Sequence, residues 1–157
     1  MGRPAIAVLA GMFALGACSP RPSPADGIPE PSYGEASLVI QTGPGEVRVR
    51  VELADEPEEQ TRGLMFREEL PPEAGMVFLH QEPRPGTFWM KDTLIPLSLA
   101  VWGEDGRIGA ILDMEPCPED PCPHYDPGVS WVGAVEVNRG FFERHGVQLG
   151  DSVRLER

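Results

Sequence analysis

The sequence predicts one α+β domain, mainly antiparallel β, in which about seven short strands form a small barrel-like sheet beside two short helices. Three observations predict this fold. Residues 46–53 alternate apolar and polar side chains with a period of two, as in a half-buried strand. Short apolar runs separated by Gly and Pro turns follow over the rest of the chain. Because many short strands leave edges exposed, closure into a barrel is an economical arrangement.

The first elements are a hairpin and a helix. Residues 37–42 and 46–53 flank a Gly-Pro-Gly turn, which predicts two paired strands. Asp55 then supplies an N-cap acid, followed by a proline in the first turn and a glutamate three residues after the cap. This pattern predicts a helix over 56–65, in which Gly63 favours close approach or an end to the helix.

The remaining elements alternate between short apolar runs and turns. Asn138 and Gly146 are suited to cap the start and the end of a second helix over 139–145. The other apolar runs predict strands over 75–80, 87–91, 97–102, 107–114 and 131–137, with a last strand after the turn at Gly150.

The first 17 residues predict an export signal. Arg3 provides the positive start and residues 5–15 an apolar run that is too short to span a bilayer as a helix. Leu15-Gly16-Ala17-Cys18 matches the lipobox of bacterial lipoproteins, which predicts cleavage after residue 17 and lipidation of Cys18. Ser19, rather than Asp, favours sorting to the outer membrane. The alternative is a plain secreted signal with an incidental cysteine.

Residues 18–36 predict a tether between this lipid anchor and a single globular domain over 37–157. The segment after the cysteine holds five prolines and few residues suited to a core. The sequence therefore predicts a protein of the bacterial cell envelope, held by lipid at the periplasmic face.

The charge balance narrows the classes of partner. The chain has 25 acidic against 13 basic residues and a net charge of −12, and removal of residues 1–17 takes away Arg3 alone, which leaves −13. This balance excludes nucleic acid as an expected partner, because phosphate binding needs basic patches. The expected partners are the membrane, through the lipid anchor, and an unknown small molecule or envelope component.

Two further cysteines lie in a loop rich in proline. Cys117 and Cys122 form an even pair in a compartment that permits disulfides, so we expect a local disulfide across this loop. A metal site formed by the pair with His124 is the alternative, although metal sites require more ligands at defined spacing.

Four segments occur in an order that resembles a known family. They are Thr61–Arg67 (TRGLMFR), Gly75–Phe78 (GMVF), Phe88–Leu97 (FWMKDTLIPL) and Val135–Gly140 (VEVNRG). Over roughly residues 38–156 the chain resembles the domain-of-unknown-function family 192 (DUF192), here in a lipoprotein context. Asp92 stands where asparagine is usual, and Gly103 where an acidic or aliphatic residue is common. The resemblance implies a small β-rich fold, often exported, with no agreed activity.

Polar residues within apolar segments form the candidate binding site. Unpaired charges are expensive to bury, so such residues either pair with one another or face a pocket. We predict a non-catalytic binding or assembly-accessory domain for a small anionic ligand or an envelope polymer or peptide. Its site residues would be Arg62, Phe88, Trp89, Lys91, Glu136 and Asn138. The alternative is a structural ion-pair network that fixes the first helix on the sheet.

Two other classes of function remain open at this point. One is an envelope hydrolase or transferase that uses Glu136 and a neighbouring acid, although no serine lies in a Gly-x-Ser-x-Gly motif. The other is copper handling by Met90, Met114, His124 and the cysteine loop, although methionine is more often core filler. We therefore assign no catalytic residue, no cofactor and no metal ligand.

Overall fold

The computed structural model describes residues 31–157. The predicted signal peptide, the lipidation site Cys18 and most of the predicted tether lie outside these residues. Nine strands and two helices follow in this order: β1 (Gly34–Gln41), β2 (Glu46–Ala54), α1 (Pro57–Arg62), β3 (Ala74–Arg84), β4 (Phe88–Trp89), β5 (Leu97–Trp102), β6 (Ile108–Met114), β7 (His124–Tyr125), β8 (Trp131–Asn138), α2 (Phe141–Arg144) and β9 (Ser152–Glu156). Neither helix of this region has the length and apolar character needed to cross a bilayer.

Seven strands form one sheet in the order β6-β5-β8-β3-β2-β1-β9. Neighbouring strands are antiparallel except β2 and β3, which run parallel and are connected through α1. Strands β4 and β7 form a separate two-stranded sheet. The prediction of a mainly antiparallel α+β domain with seven strands in one sheet and two short helices is confirmed.

The sheet is not closed as a barrel. Its edge strands meet at one corner only, where the Ile108 N–H donates to the Asp151 carbonyl at 2.9 Å and the Val153 N–H donates to the Gly106 carbonyl at 2.7 Å. The contact between the two edges does not extend into a strand ladder. The barrel-like description therefore holds only loosely.

Both helices are shorter than predicted. Helix α1 ends at Arg62, because Gly63 adopts a φ of 47°, which a helix cannot continue. Its capping also differs by one residue, since Glu56 is the N-cap and the Glu59 carboxylate accepts the Glu56 N–H at 3.0 Å. Helix α2 begins after Gly140 rather than after Asn138, which is the last residue of β8.

Two clusters of buried apolar side chains lie on opposite faces of the sheet, because successive residues of a strand point to opposite sides. Val135 and Val137 of β8 belong to the cluster that includes Phe141 and Phe142 of α2. Ala134 belongs to the other cluster, which collects residues from β3, β5 and the chain around β4. Since Glu136 alternates with the two valines, its side chain lies on the Ala134 face.

Candidate functional site

The face of the sheet that carries Glu136 holds a cavity of about 270 Å³. We call it the aromatic pocket. It is lined by residues 60–65 of α1 and the turn after it, by Phe78, His80 and Arg84 of β3, by residues 86–89 through β4, and by Thr93, Trp131 and Glu136. The pocket thus lies where α1 and the segment through β4 cover the centre of the sheet.

Five aromatic rings line the pocket, those of Phe78, His80, Phe88, Trp89 and Trp131. Phe88 packs edge-on against Phe78, with ring centroids 6.1 Å apart, and lies 5.1 Å from the Trp131 ring centroid. The His80 ring also packs against Trp131, with ring centroids 4.6 Å apart. Trp89 is 46% exposed and lies at the surface, where its ring stacks on the ring of His124 with centroids 5.9 Å apart. Flat rings can therefore be accommodated along this wall.

Two polar nitrogen atoms in this wall are buried without a hydrogen-bond partner in residues 31–157. They are Trp131 Nε1 and His80 Nε2. The indole nitrogen is a donor only. Burial, with a smaller contribution from the positive charge of Arg84, lowers the pKa of His80, so its ring is neutral at pH 7. Buried polar atoms are nearly always hydrogen-bonded in folded proteins, so these two nitrogen atoms are groups of the wall that can bond a ligand.

Glu136 is the acidic residue of the pocket. Its side chain is 7% exposed, and it forms no hydrogen bond or ion pair with the rest of residues 31–157. Burial raises the pKa of its carboxyl group to about 8, so this carboxyl is mostly un-ionised at pH 7. No second acid from residues 31–157 lines the pocket. A reaction that uses Glu136 with a neighbouring acid therefore lacks its second carboxyl group among these lining residues.

The pocket carries positive charge within an acidic protein. Arg62, at the end of α1, is 8% exposed, and its guanidinium carbon lies 4.7 Å from the Phe66 ring centroid. Arg84, near the end of β3, is exposed and forms no ion pair in the described part of the chain. Since Glu136 is mostly un-ionised at pH 7, Arg84 contributes a positive charge to the pocket that no ion pair of residues 31–157 offsets.

Comparison with known proteins identifies the family. The family model of DUF192, described as "Uncharacterized ACR", matches residues 38–155. The chain belongs to the DUF192 family. No curated protein matches it.

Two solved structures resemble this DUF192 domain. A "putative transcription regulator" from Sinorhizobium meliloti 1021 is 32% identical and superposes with a TM-score of 0.73, covering 81% of this chain and 98% of the other. A protein of unknown function from Novosphingobium aromaticivorans DSM 12444 is 33% identical with a TM-score of 0.72, covering 88% of this chain and 94% of the other. Both support the fold of the DUF192 domain.

The fold brings together four of the six residues that the sequence singles out as a binding site. Arg62, Phe88, Trp89 and Glu136 all line the aromatic pocket. These side chains come from α1, β4 and β8, so only the tertiary fold unites them. Their convergence is the feature of the DUF192 domain that bears most directly on binding.

Lys91 and Asn138 do not line the pocket. The Lys91 ammonium group lies 3.2 Å from Asp120, in the loop between Cys117 and Cys122 (the cysteine loop). It also lies 3.6 Å from the neighbouring Asp92. The hydrogen bond to Asp120 raises the pKa of Lys91. The Asn138 amide instead donates to the backbone carbonyls of Leu70 and Pro71, at 2.8 and 3.1 Å. The contacts of both side chains thus lie outside the lining of the aromatic pocket.

The cysteine loop supports the segment that holds one wall of the pocket. Cys117 Sγ and Cys122 Sγ lie 2.09 Å apart, as expected for the predicted disulfide. The Asp92 N–H donates to the Cys117 carbonyl at 2.9 Å, and the Cys117 N–H donates to the Thr93 carbonyl at 3.1 Å. These bonds fix the chain just after Trp89. Strand β7 follows the loop and pairs with β4.

The residues proposed for copper do not converge in the structure. Met90 and Met114 are fully buried in the apolar cluster around the pocket. His124 lies near the surface, stacked on Trp89. Within residues 31–157 no group of three or more His, Cys, Asp and Glu residues is placed to hold a metal ion.

His80, Arg84 and Trp131 are among the pocket residues that sequence reasoning missed. Arg84 and Trp131 are partners across the β3–β8 pair, beyond an irregularity in register that begins after Leu79. Beyond this irregularity, the end of β3 pairs with the start of β8. No short-range pattern in the sequence reports a shift of register between two strands so far apart.

Proposed function

We propose that the domain is a non-catalytic binding module that holds a small anionic ligand with a flat ring in the aromatic pocket. The observation that carries this proposal is the pair of buried nitrogen atoms, Trp131 Nε1 and His80 Nε2, that lack partners in the described part of the chain. A buried donor left without a partner costs about 1–3 kcal/mol. A ligand that presents an acceptor to Trp131 would recover that cost on binding.

The charge of the pocket favours an anion. The protein as a whole carries −12, whereas the pocket wall carries Arg84 against one acid that is mostly un-ionised. Arginine suits this role because its guanidinium group remains charged and presents several donors to a carboxylate. Arg84 lies at the exposed end of β3, where it can meet a ligand that enters from solvent.

The size of the pocket favours one ring. A volume of about 270 Å³ lies just below the range of pockets that bind drug-sized ligands. The wall formed by Phe88 and Trp131 suits a flat apolar face, and the polar atoms suit a single acidic substituent. An envelope polymer or peptide would therefore enter with one terminal group or side chain only.

Calorimetric titration with benzoate and its neutral analogue benzamide tests this proposal. We expect benzoate to bind at least about tenfold more tightly than benzamide, a difference of about 1.4 kcal/mol. Arg84→Gln should weaken benzoate binding about fivefold, because it removes an exposed positive charge at the pocket. The matched control is Arg50→Gln, on β2, which is exposed and lies outside the pocket. Equal affinity for benzoate and benzamide, or equal effects of the two variants, would contradict an anion site.

We further propose that lipid on Cys18 attaches this module to the cell envelope, at the periplasmic face of the outer membrane. The lipobox Leu15–Cys18 and Ser19 support this location. The intervening residues, rich in proline, would keep the domain at a distance from the bilayer, so that its pocket meets ligands in the periplasm.

A further inference from the structure

Glu136 is an unusual residue for its position in the sheet. Its partners in register are Met76 of β3 and Leu99 of β5, and both of these side chains are buried. An acid between two apolar neighbours gains nothing for stability, since burial of a carboxyl group without a partner is unfavourable. Glu136 is only 7% exposed, and its side chain lines the aromatic pocket.

We propose that Glu136 determines the specificity of the aromatic pocket, where its buried carboxyl group donates a hydrogen bond to a carboxylate oxygen of the ligand. This inference rests on the proposed function and deepens it, because it assigns the ligand class as small aromatic carboxylates. Hydrogen bonds between an acid and a carboxylate are short and strong. Trp131 Nε1, a donor only, would complement Glu136 with a second hydrogen bond to the same anionic ligand.

The groups that face Glu136 do not titrate between pH 7 and pH 9. Across the pocket these are Arg62 of α1 and His80 and Arg84 of β3; β4, β5 and Thr93 contribute no titratable side chain to it. Both arginines stay charged over this range. Burial lowers the pKa of His80, so its ring stays neutral. Between pH 7 and pH 9, the charge of the pocket lining therefore changes through the ionisation of Glu136.

Binding of the anion should then depend on pH in one direction. Ionisation of Glu136 removes the donated hydrogen bond and places a negative charge next to the ligand carboxylate. Burial raises the pKa of Glu136 to about 8. Between pH 7 and pH 9 affinity should therefore fall as the pH rises through 8, and the fall should approach tenfold for each further pH unit.

Benzoate titrations at pH 7 and pH 9 test this role, since benzoate itself is ionised at both values. We expect wild-type affinity to fall about tenfold between the two. Glu136→Gln should bind benzoate within about threefold of wild type at pH 7, because its amide N–H can donate, and should lose the dependence on pH. Glu136→Met, which has neither donor nor charge, should bind with the same affinity at both values, at least about tenfold more weakly than wild type at pH 7.

The outcomes separate this inference from the proposed function. Benzoate affinity that is equal at pH 7 and pH 9, or that falls equally in Glu136→Gln, would overturn the role of Glu136 and leave the anion site standing. Failure of benzoate to bind wild type at either pH would overturn both. Thermal unfolding of each variant shows whether it is folded, and the pH profile of the conservative Gln variant decides the case if the Met variant does not fold.

Discussion

The rings of His80 and Trp131 pack together with centroids 4.6 Å apart, and each ring carries a buried nitrogen without a hydrogen-bond partner in residues 31–157. Packing of the two rings is favourable, whereas the two bare nitrogen atoms are costly. Because both nitrogen atoms lie on the wall of one cavity, they support the proposed ligand site.

Trp131→Phe should separate stability from binding. The variant loses part of a buried ring but also loses the unsatisfied N–H, so we expect the free energy of unfolding to change by less than about 1 kcal/mol. Benzoate affinity should nevertheless fall about tenfold, because the donor is gone. Urea denaturation and calorimetric titration measure the two effects.

Trp102→Phe is the matched control for this variant. Trp102 is buried on the opposite face of the sheet, where its ring lies so close to Gly133 that a Cβ there would be 2.2 Å from the ring. Loss of this tight contact should lower the free energy of unfolding by about 1–3 kcal/mol, with no change in benzoate affinity. The ligand interpretation would be contradicted if the two tryptophan variants behaved alike.

Lys91→Gln should leave benzoate binding unchanged. The Lys91 ammonium pairs with Asp120 and Asp92 and does not line the pocket, so its removal leaves the charge at the ligand space as it was. Calorimetric titration beside Arg84→Gln measures the difference between a paired and a pocket-lining cation. A fivefold loss in the lysine variant would show that Lys91 reaches the ligand after all.

Glu136→Gln should remove a pH dependence of stability. Burial raises the pKa of this carboxyl from 4.5 to about 8, so the folded state holds a proton that the unfolded state releases between these values. The contribution of this proton to the free energy of unfolding is thus fully present below pH 4.5 and is lost as the pH rises through 8. Relative to the Gln variant, wild type should lose about 1 kcal/mol for each pH unit in that window.

Urea denaturation of both proteins at pH 5, 6.5 and 8 measures this difference. The comparison with Glu136→Gln cancels the contribution of His80, whose lowered pKa acts in both proteins alike. A difference in unfolding free energy that is constant with pH would mean that Glu136 is ionised in the folded state.

Replacement of Cys117 and Cys122 by serine should loosen the pocket wall. The loop is short, so we expect a loss of less than about 3 kcal/mol in unfolding free energy. Amide exchange should accelerate at Asp92 and Cys117, whose backbone bonds join the loop to the segment after Trp89. The amide of Val49, in the hairpin of β1 and β2, is the internal control. Unchanged exchange at Asp92 would show that the wall is fixed without the loop.

Cys18→Ser should release the protein from membranes. The substitution removes the thiol that would carry the lipid. Fractionation of cells that express wild type and variant measures this effect, and Cys117→Ser serves as a control that leaves the lipobox intact. A variant that still sediments with membranes would contradict the lipid anchor.

Local patterns were sufficient to predict most elements of the sheet. The alternation in residues 46–53 gave the correct strand, and the alternation of Val135, Glu136 and Val137 gave the correct face for the acid. Gly63 correctly marked the end of α1. These features depend on the period of the backbone, which is visible in a few consecutive residues.

Long-range geometry was not visible in the sequence. Lys91 looked like a pocket residue because it follows three large apolar residues, yet Asp120, nearly thirty positions later, draws it to the cysteine loop. His80 and Trp131 meet through the pairing of β3 with β8, whose register shifts after Leu79. The incomplete closure of the sheet likewise depends on where β6 and β9 meet. Each of these outcomes depends on residues far apart in the chain.

The indole N–H signals of the three tryptophans test the central claim most directly. In a nitrogen–proton correlation spectrum titrated with benzoate, the account predicts a large shift of the Trp131 signal, because its N–H gains an acceptor. Trp89, at the rim of the pocket, should shift less, and Trp102, on the opposite face of the sheet, should not move. An unchanged Trp131 signal at saturating benzoate, or shifts of equal size at Trp131 and Trp102, would contradict a ligand site in the aromatic pocket.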